Sequence, residues 1–130
     1  MMVVGGYMYL RSLVGPEEIF FMLYDQSELI HKMMKKWFEI ADAACAYYQK
    51  HITIDQIAIG EDISYNNGLL ISPDMIREFL FPYYKKLLDN IKERNIDQDR
   101  HVYFYLDTDG NLDDAIPLYQ EVGVDVVAPM

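Results

Sequence analysis

Three short runs dense in β-branched and aromatic residues, ITIDQIAIG at 52–60, VYFYL at 102–106 and VDVVA at 124–128, are separated by long stretches with helical periodicity. Apolar strands alternating with helices are the pattern of an α/β protein with a parallel sheet, because parallel strands are buried on both faces and need helical crossovers. A fourth apolar run, Met1 to Tyr9, is bounded by Arg11 and Ser12 and reads as a first strand over about residues 2–8. The expected strands therefore lie near 2–8, 53–60, 102–106 and 124–128.

The helices between them carry recognisable punctuation. Gly15-Pro16-Glu17-Glu18 starts a short helix running to about Tyr24. Ser27 reads as the N-cap of the longest helix, whose buried stripe is Ile30, Met33, Met34, Trp37, Ala41, Ala44, Cys45 and Tyr48. Ser72-Pro73-Asp74 starts a helix expected to reach about Arg94 with a kink near Glu78 to Pro82, since proline removes a backbone donor and clashes with the preceding turn. Asn111 or Asp113 is placed to cap a last short helix through about Glu121, which Gly123 closes. The tyrosine pairs Tyr47-Tyr48 and Tyr83-Tyr84 read as helix packing against the sheet.

Charge and cysteine content narrow the function. With 21 acidic against 11 basic residues the formal charge is −10, so nucleic acid phosphates and anionic membrane surfaces are not expected partners. No stretch approaches the roughly 20 apolar residues of a membrane helix, and the N-terminus has no secretory pattern. Cys45 is the only cysteine, so no internal disulfide forms and a reducing cytoplasm is the expected compartment. Cys45 falls on an apolar helix stripe and reads as core; His31, His51 and His101 stand apart at helix or loop edges and read as structural or solvated. Dinucleotide and P-loop glycine motifs are absent.

Ligand sites in parallel α/β sheets form at the carboxyl ends of the strands. Two successive strand ends here carry acids: Glu61-Asp62, and Asp107-Thr108-Asp109-Gly110-Asn111. Glu61, Asp62 and Asp109 are the candidate catalytic acid/base groups, since neighbouring carboxylates raise one another's proton affinity. Arg11, Tyr9, Tyr65, Asn67 and Asn111 are candidate substrate-binding groups, with Arg11 the cation expected to face that mouth. Asp107 and Asp109 are candidate ligands for a divalent metal of the Mg, Ca or Mn type; no cofactor is otherwise indicated.

The run GEDISYNNGLLISPDMIREFLFPYYKKL resembles the uroporphyrinogen decarboxylase family, in particular its methyltransferase-like branch, and the flanking GGYMYLRSLVGPEEIFFMLYDQSELIHKMM and LDTDGNLDDAIPLYQEVGVDVVAPM resemble the neighbouring parts of the same proteins in the same order. The resemblance implies a (β/α)8 barrel. Such barrels take about 250 residues, so this chain is expected to be a middle segment: a partial barrel of about four parallel strands with outer helices, forming one incomplete domain. It implies either a lyase, removing acetate carboxyls from uroporphyrinogen in porphyrin biosynthesis, or a methyltransferase moving a methyl group between a corrinoid protein and a thiol. The expected ligand is accordingly a small molecule of tetrapyrrole or corrinoid type, with this segment inactive alone. The zinc-binding His-x-Cys-Gly turn of the methyltransferases corresponds to Asp107-Thr108-Asp109-Gly110, where both soft ligands are replaced by carboxylates.

Alternatives from other classes are a non-catalytic remnant or interaction module, and a carboxylate metal-binding module. Open edges at the first and last strands lead to a further expectation: the chain is not a stable monomer, and either associates with itself or is completed by a companion chain or a longer sequence.

Overall fold

The computed structural model describes residues 1–129; Met130 lies outside them. The chain runs β1 (Met2–Val4), α1 (Gly6–Val14), α2 (Glu18–Asp25), α3 (Ser27–Gln49), β2 (Gln56–Gly60), β3 (Ser64–Tyr65), β4 (Gly68–Leu69), α4 (Pro73–Phe79), α5 (Phe81–Arg94), β5 (Tyr103–Asp107), α6 (Ala115–Gln120) and β6 (Val126–Ala128). Four strands form one parallel sheet in the order β1-β2-β5-β6. Each strand pairs with the one that follows it across a helical crossover, the arrangement of a partial (β/α)8 barrel.

The register shows why the two sheet faces differ. Ile57 pairs with Phe104 and Ile59 with Leu106, so these four share a face, and all are at most 1% exposed. That face is covered by helices: Tyr84 of α5 meets Phe104 edge-on with ring centroids 6.4 Å apart, and Trp37 of α3 packs tilted against Tyr84 at 5.1 Å. On the opposite face Met2, Val4, Tyr103 and Val126 remain 56%, 61%, 54% and 41% exposed. Alternation along β5, with Phe104 and Leu106 buried and Tyr103 exposed, is the period-two signature of a strand packed on one side.

Several sequence expectations need correction. The first strand ends at Val4, not near residue 8, and residues 6–14 form α1. The run Tyr7-Met8-Tyr9-Leu10 suits either conformation locally; burying Tyr7 and Leu10 together, at 1% each, requires the three-residue spacing of a helix. The second strand begins at Gln56 rather than about residue 53. Ser27 is the first residue of α3, not its cap; Gln26 holds that position with no side-chain cap bond. Tyr47 and Tyr48 are 61% and 50% exposed, and Gln49 takes the buried place. Its amide donates to Ile91 O and Asn95 Oδ1 at 2.8 and 2.7 Å, which fixes the end of α3 against the end of α5. Neither Asn111 nor Asp113 caps α6: the N-cap is Asp114, and Asn111 Oδ1 instead accepts from Asp113 N at 2.9 Å in a local turn.

Other expectations hold. Ser72 caps α4, accepting from Met75 N at 3.2 Å with Pro73 at the first position. The helix from Ser72 to Arg94 breaks at Leu80, two residues before Pro82, giving α4 and α5. Gly123, at φ +87°, turns the chain out of the last helical segment toward β6. Cys45 is fully buried, and burial pushes its thiol up to about 11. No helix among the described residues is long and apolar enough to cross a membrane.

Candidate functional site at the strand ends

The carboxyl ends of β1, β2 and β5 converge on Glu61. Gly5 N donates to Gly60 O at 2.7 Å, and the amides of Glu61 and Asp62 donate to Asp107 O at 2.9 and 3.3 Å, so backbone alone ties the three strand ends together. Above them α1 begins, with its first amides aimed inward. Glu61 Oε1 accepts from Tyr7 N at 2.6 Å; the Tyr84 hydroxyl accepts from Gly6 N at 2.7 Å and donates to Glu61 Oε2. A carboxyl at a helix N-terminus satisfies otherwise orphaned N–H groups. The approach needs glycine: a Cβ on Gly5 would stand 2.5 Å from Glu61 Oε2 and 2.7 Å from Glu61 Cα.

Glu61 is 0% exposed, and burial drives its carboxyl up to about 8. The amides of Tyr7, Met8 and Gly6 pull the other way, and the adjacent Asp62 raises it as expected from the sequence but with the smallest push. Near it the Tyr119 hydroxyl is buried with no partner among the described residues, and burial together with the Glu61 charge raises it well above its ordinary value.

Asp62 differs in every respect. It is the one non-glycine among the described residues with positive φ, at +47°. That turn swings its side chain outward, half exposed, to Arg11 Nη1 at 3.5 Å. Backbone held in a sparsely populated region at a strand end is a reason to suspect function. Arg11 reaches the mouth from one side of α1. Tyr9 does not accompany it: on that helix it points to the opposite side, lining a groove of about 300 Å³ beside β1 with Trp37 and Ile40. Arg11 and Asp62 are thus brought together, and Tyr9 is separated from them.

The end of β5 is built by its loop. Thr108, 1% exposed, accepts from Ile63 N and Ser64 N at 2.9 and 3.1 Å. This anchors the β3–β4 hairpin, whose Asn66-Asn67 tip is exposed. Tyr65 O accepts from Asn111 N at 2.9 Å. Gly110, at φ +89°, lies so close that a Cβ would come 2.7 Å from Tyr65 Cα. Tyr65, Asp109 and Asn111 therefore belong to one hairpin-and-loop assembly, with Asn67 at its exposed tip. Asp107 is partly buried at the strand end and Asp109 is exposed beyond it.

Among the described residues no three His, Cys, Asp or Glu side chains converge as a metal-holding group. The hard carboxylates Asp107 and Asp109 do not match the soft donors of a thiol-activating zinc site. His31 and His101 are not isolated: His31 Nδ1 meets the Tyr83 hydroxyl at 3.0 Å, and His101 Nε2 meets Asp125 at 3.0 Å.

Tyr7, Tyr84 and Thr108 enter the site through tertiary contacts beyond the candidates the sequence offers. Tyr84 lies on the apolar stripe of α5, where a polar tip at the end of a buried ring is the available signal. Thr108 offers none, since its role follows from which amides lie opposite.

Comparison with curated proteins and with solved structures gives no match. The sequence model of the family described as Uroporphyrinogen decarboxylase (URO-D) matches residues 2–129, nearly the whole chain. With its parallel strands, outer helices and acid-bearing strand ends, the chain belongs to the uroporphyrinogen decarboxylase family.

Proposed function

We propose that this chain supplies a carboxylate-lined part of a uroporphyrinogen decarboxylase-like barrel mouth and binds a tetrapyrrole or corrinoid-type small molecule there. The observation that carries the reading is Asp62: at the end of β2, with φ +47°, half exposed, and within 3.5 Å of Arg11. A carboxyl group in that position can accept hydrogen bonds from pyrrole N–H groups and face positive charge developing on a protonated pyrrole. Arg11 would take a substrate carboxylate. Glu61, buried behind them, holds the first turn of α1 in place, while Asp109 and Asn111 with Tyr65 and Asn67 form the far rim. Lyase chemistry fits such a mouth better than methyl transfer to a thiol, for which the soft zinc donors are replaced by Asp107 and Asp109, and the buried free Cys45 suits a cytoplasmic setting.

Absorbance titration with uroporphyrin and with hydroxocobalamin tests binding, followed by assays of uroporphyrinogen decarboxylation and methyl transfer from methylcobalamin to a thiol. Asp62→Asn is expected to weaken the bound ligand about tenfold, the effect of one charge-assisted hydrogen bond. A chain that titrates neither ligand overturns the reading; binding without turnover in either assay marks a non-catalytic remnant.

A second reading concerns assembly. β1 and β6 each present an unpaired edge within the described sheet, and Met2, Val4, Tyr103 and Val126 leave one sheet face apolar and open. We propose that a second copy covers that face: a two-fold axis along the barrel sets β1 of each copy beside β6 of the other, all strands remain parallel, and the ring closes. Sedimentation at micromolar concentration should show a dimer, and a cooperative monomer overturns the proposal.

A further inference from the structure

Away from the strand ends, α3 and α5 border a groove of about 560 Å³ on the outer side of the molecule. Its apolar floor comes from Phe38, Pro82 and Tyr83, and its rim from Lys32, Lys35 and Lys86. In a chain of net charge −10 this is an unusual concentration of positive charge. Helix geometry explains how it arises: Lys32 and Lys35 lie three residues apart on one side of α3, and Lys86 lies one turn after Pro82 on α5. Among the described residues none of these lysines is ion-paired. The acid on the rim, Glu39, is engaged by Lys36 at 3.2 Å. Lys86 is held over the Phe38 ring with its Nζ 4.7 Å from the centroid, so its position is set by a cation–π contact and its charge remains available.

The wall is fixed as well. The Tyr83 hydroxyl donates to His31 O at 3.0 Å and meets His31 Nδ1 at 3.0 Å, which clamps α5 to the first turns of α3. His31 Nε2 lies 3.7 Å from Glu78 Oε1 on α4. What the groove offers a ligand is therefore a flat apolar surface with uncompensated ammonium groups at its rim.

We propose that this groove binds a small aromatic carboxylate, its ring against Pro82 and Tyr83 and its carboxylate among Lys32, Lys35 and the Lys86 ammonium seated over Phe38. The chemistry is complementary in both parts, and the volume falls within the range of single small-molecule pockets rather than of extended peptide grooves. The groove shares no residue with the strand-end mouth, so the inference stands apart from the tetrapyrrole reading.

The test is a calorimetric titration of the full chain with 2-naphthoate and with its neutral counterpart 2-naphthylmethanol. Naphthoate is expected to bind about tenfold more tightly, and raising salt should remove most of that preference. Lys35→Gln and Lys86→Gln should each reduce naphthoate affinity several-fold while leaving uroporphyrin titration unchanged. Equal binding of the two compounds, no response to either lysine variant, or preferential binding of an oligoglutamate peptide over naphthoate overturns the proposal, the last in favour of an acidic protein partner.

Discussion

The ends of β2 and β5 are neighbours in the sheet, and both carry acids, yet they are built in opposite ways. At β2 the helix α1 closes over the strand and seals Glu61 among Tyr7 N and Tyr84, with its carboxyl pushed up to about 8 by burial. At β5 the strand runs into an exposed loop, where Asp109 meets solvent and the tertiary contacts are made by Thr108, Gly110 and the backbone of Tyr65. The same residue class at neighbouring strand ends thus becomes a buried, hydrogen-bonded carboxyl in one place and a solvent-exposed side chain in the other. What packs above a strand end decides its chemistry.

The largest effect expected from this contrast is at Tyr84, which is fully buried and bridges Gly6 N to Glu61. Tyr84→Ala should cost about 3–5 kcal/mol in denaturant unfolding, because it leaves a cavity as well as stranded polar groups. Tyr84→Phe, which keeps the ring, should cost about 1–3 kcal/mol. A loss under the lower figure for the alanine variant would show that the closure over β2 does not depend on this residue.

Next is pH. Glu61 has a folded value of about 8 against an ordinary 4.5, so the folded state binds the proton more tightly. Its contribution to stability is fully present below about 4.5 and declines as pH rises toward 8, a change on the order of a few kcal/mol. Glu61→Gln should flatten stability across that window when unfolding is measured at its two ends. An equal flattening by Asp109→Asn would erase the distinction between the strand ends.

Gly110→Ala should cost about 1–3 kcal/mol, since the new Cβ meets Tyr65 backbone at positive φ. Hydrogen exchange should then show loosening of the 64–69 hairpin in preference to α1. The smallest effect belongs to Asp109→Ala, expected within about 0.5 kcal/mol of wild type because the side chain is exposed. If it destabilises as much as the Gly110 variant, the β5 loop is more closed than its exposure indicates.

Much of the scaffold was readable from local pattern. β2 and β5 stood out because β-branched and aromatic residues crowd into short runs, and α4 because Ser72 and Pro73 satisfy and preshape a helix start. The break at Leu80 followed from Pro82. Less readable was the boundary of β1: residues 7–10 accept strand or helix, and the joint burial of Tyr7 and Leu10 with the close fit of Gly5 and Gly6 against Glu61 and Met34 selects α1. Tyr48 and Gln49 were exchanged for a similar reason, since one residue of helical rotation turns on which group finds Ile91 O and Asn95 opposite it.

By itself the sequence determined the alternation of strands and helices, their order, and the placing of acids at two adjacent strand ends, because these rest on side-chain periodicity and on residues adjacent in the chain. Only the tertiary structure decided that Glu61 is buried and Asp62 open, that Arg11 reaches Asp62 while Tyr9 turns away, and that Tyr84 closes the site. Those outcomes rest on contacts between residues 23 to 78 positions apart, such as Tyr84 with Glu61 and Gly6, and on the removal of water around them, which no local pattern records.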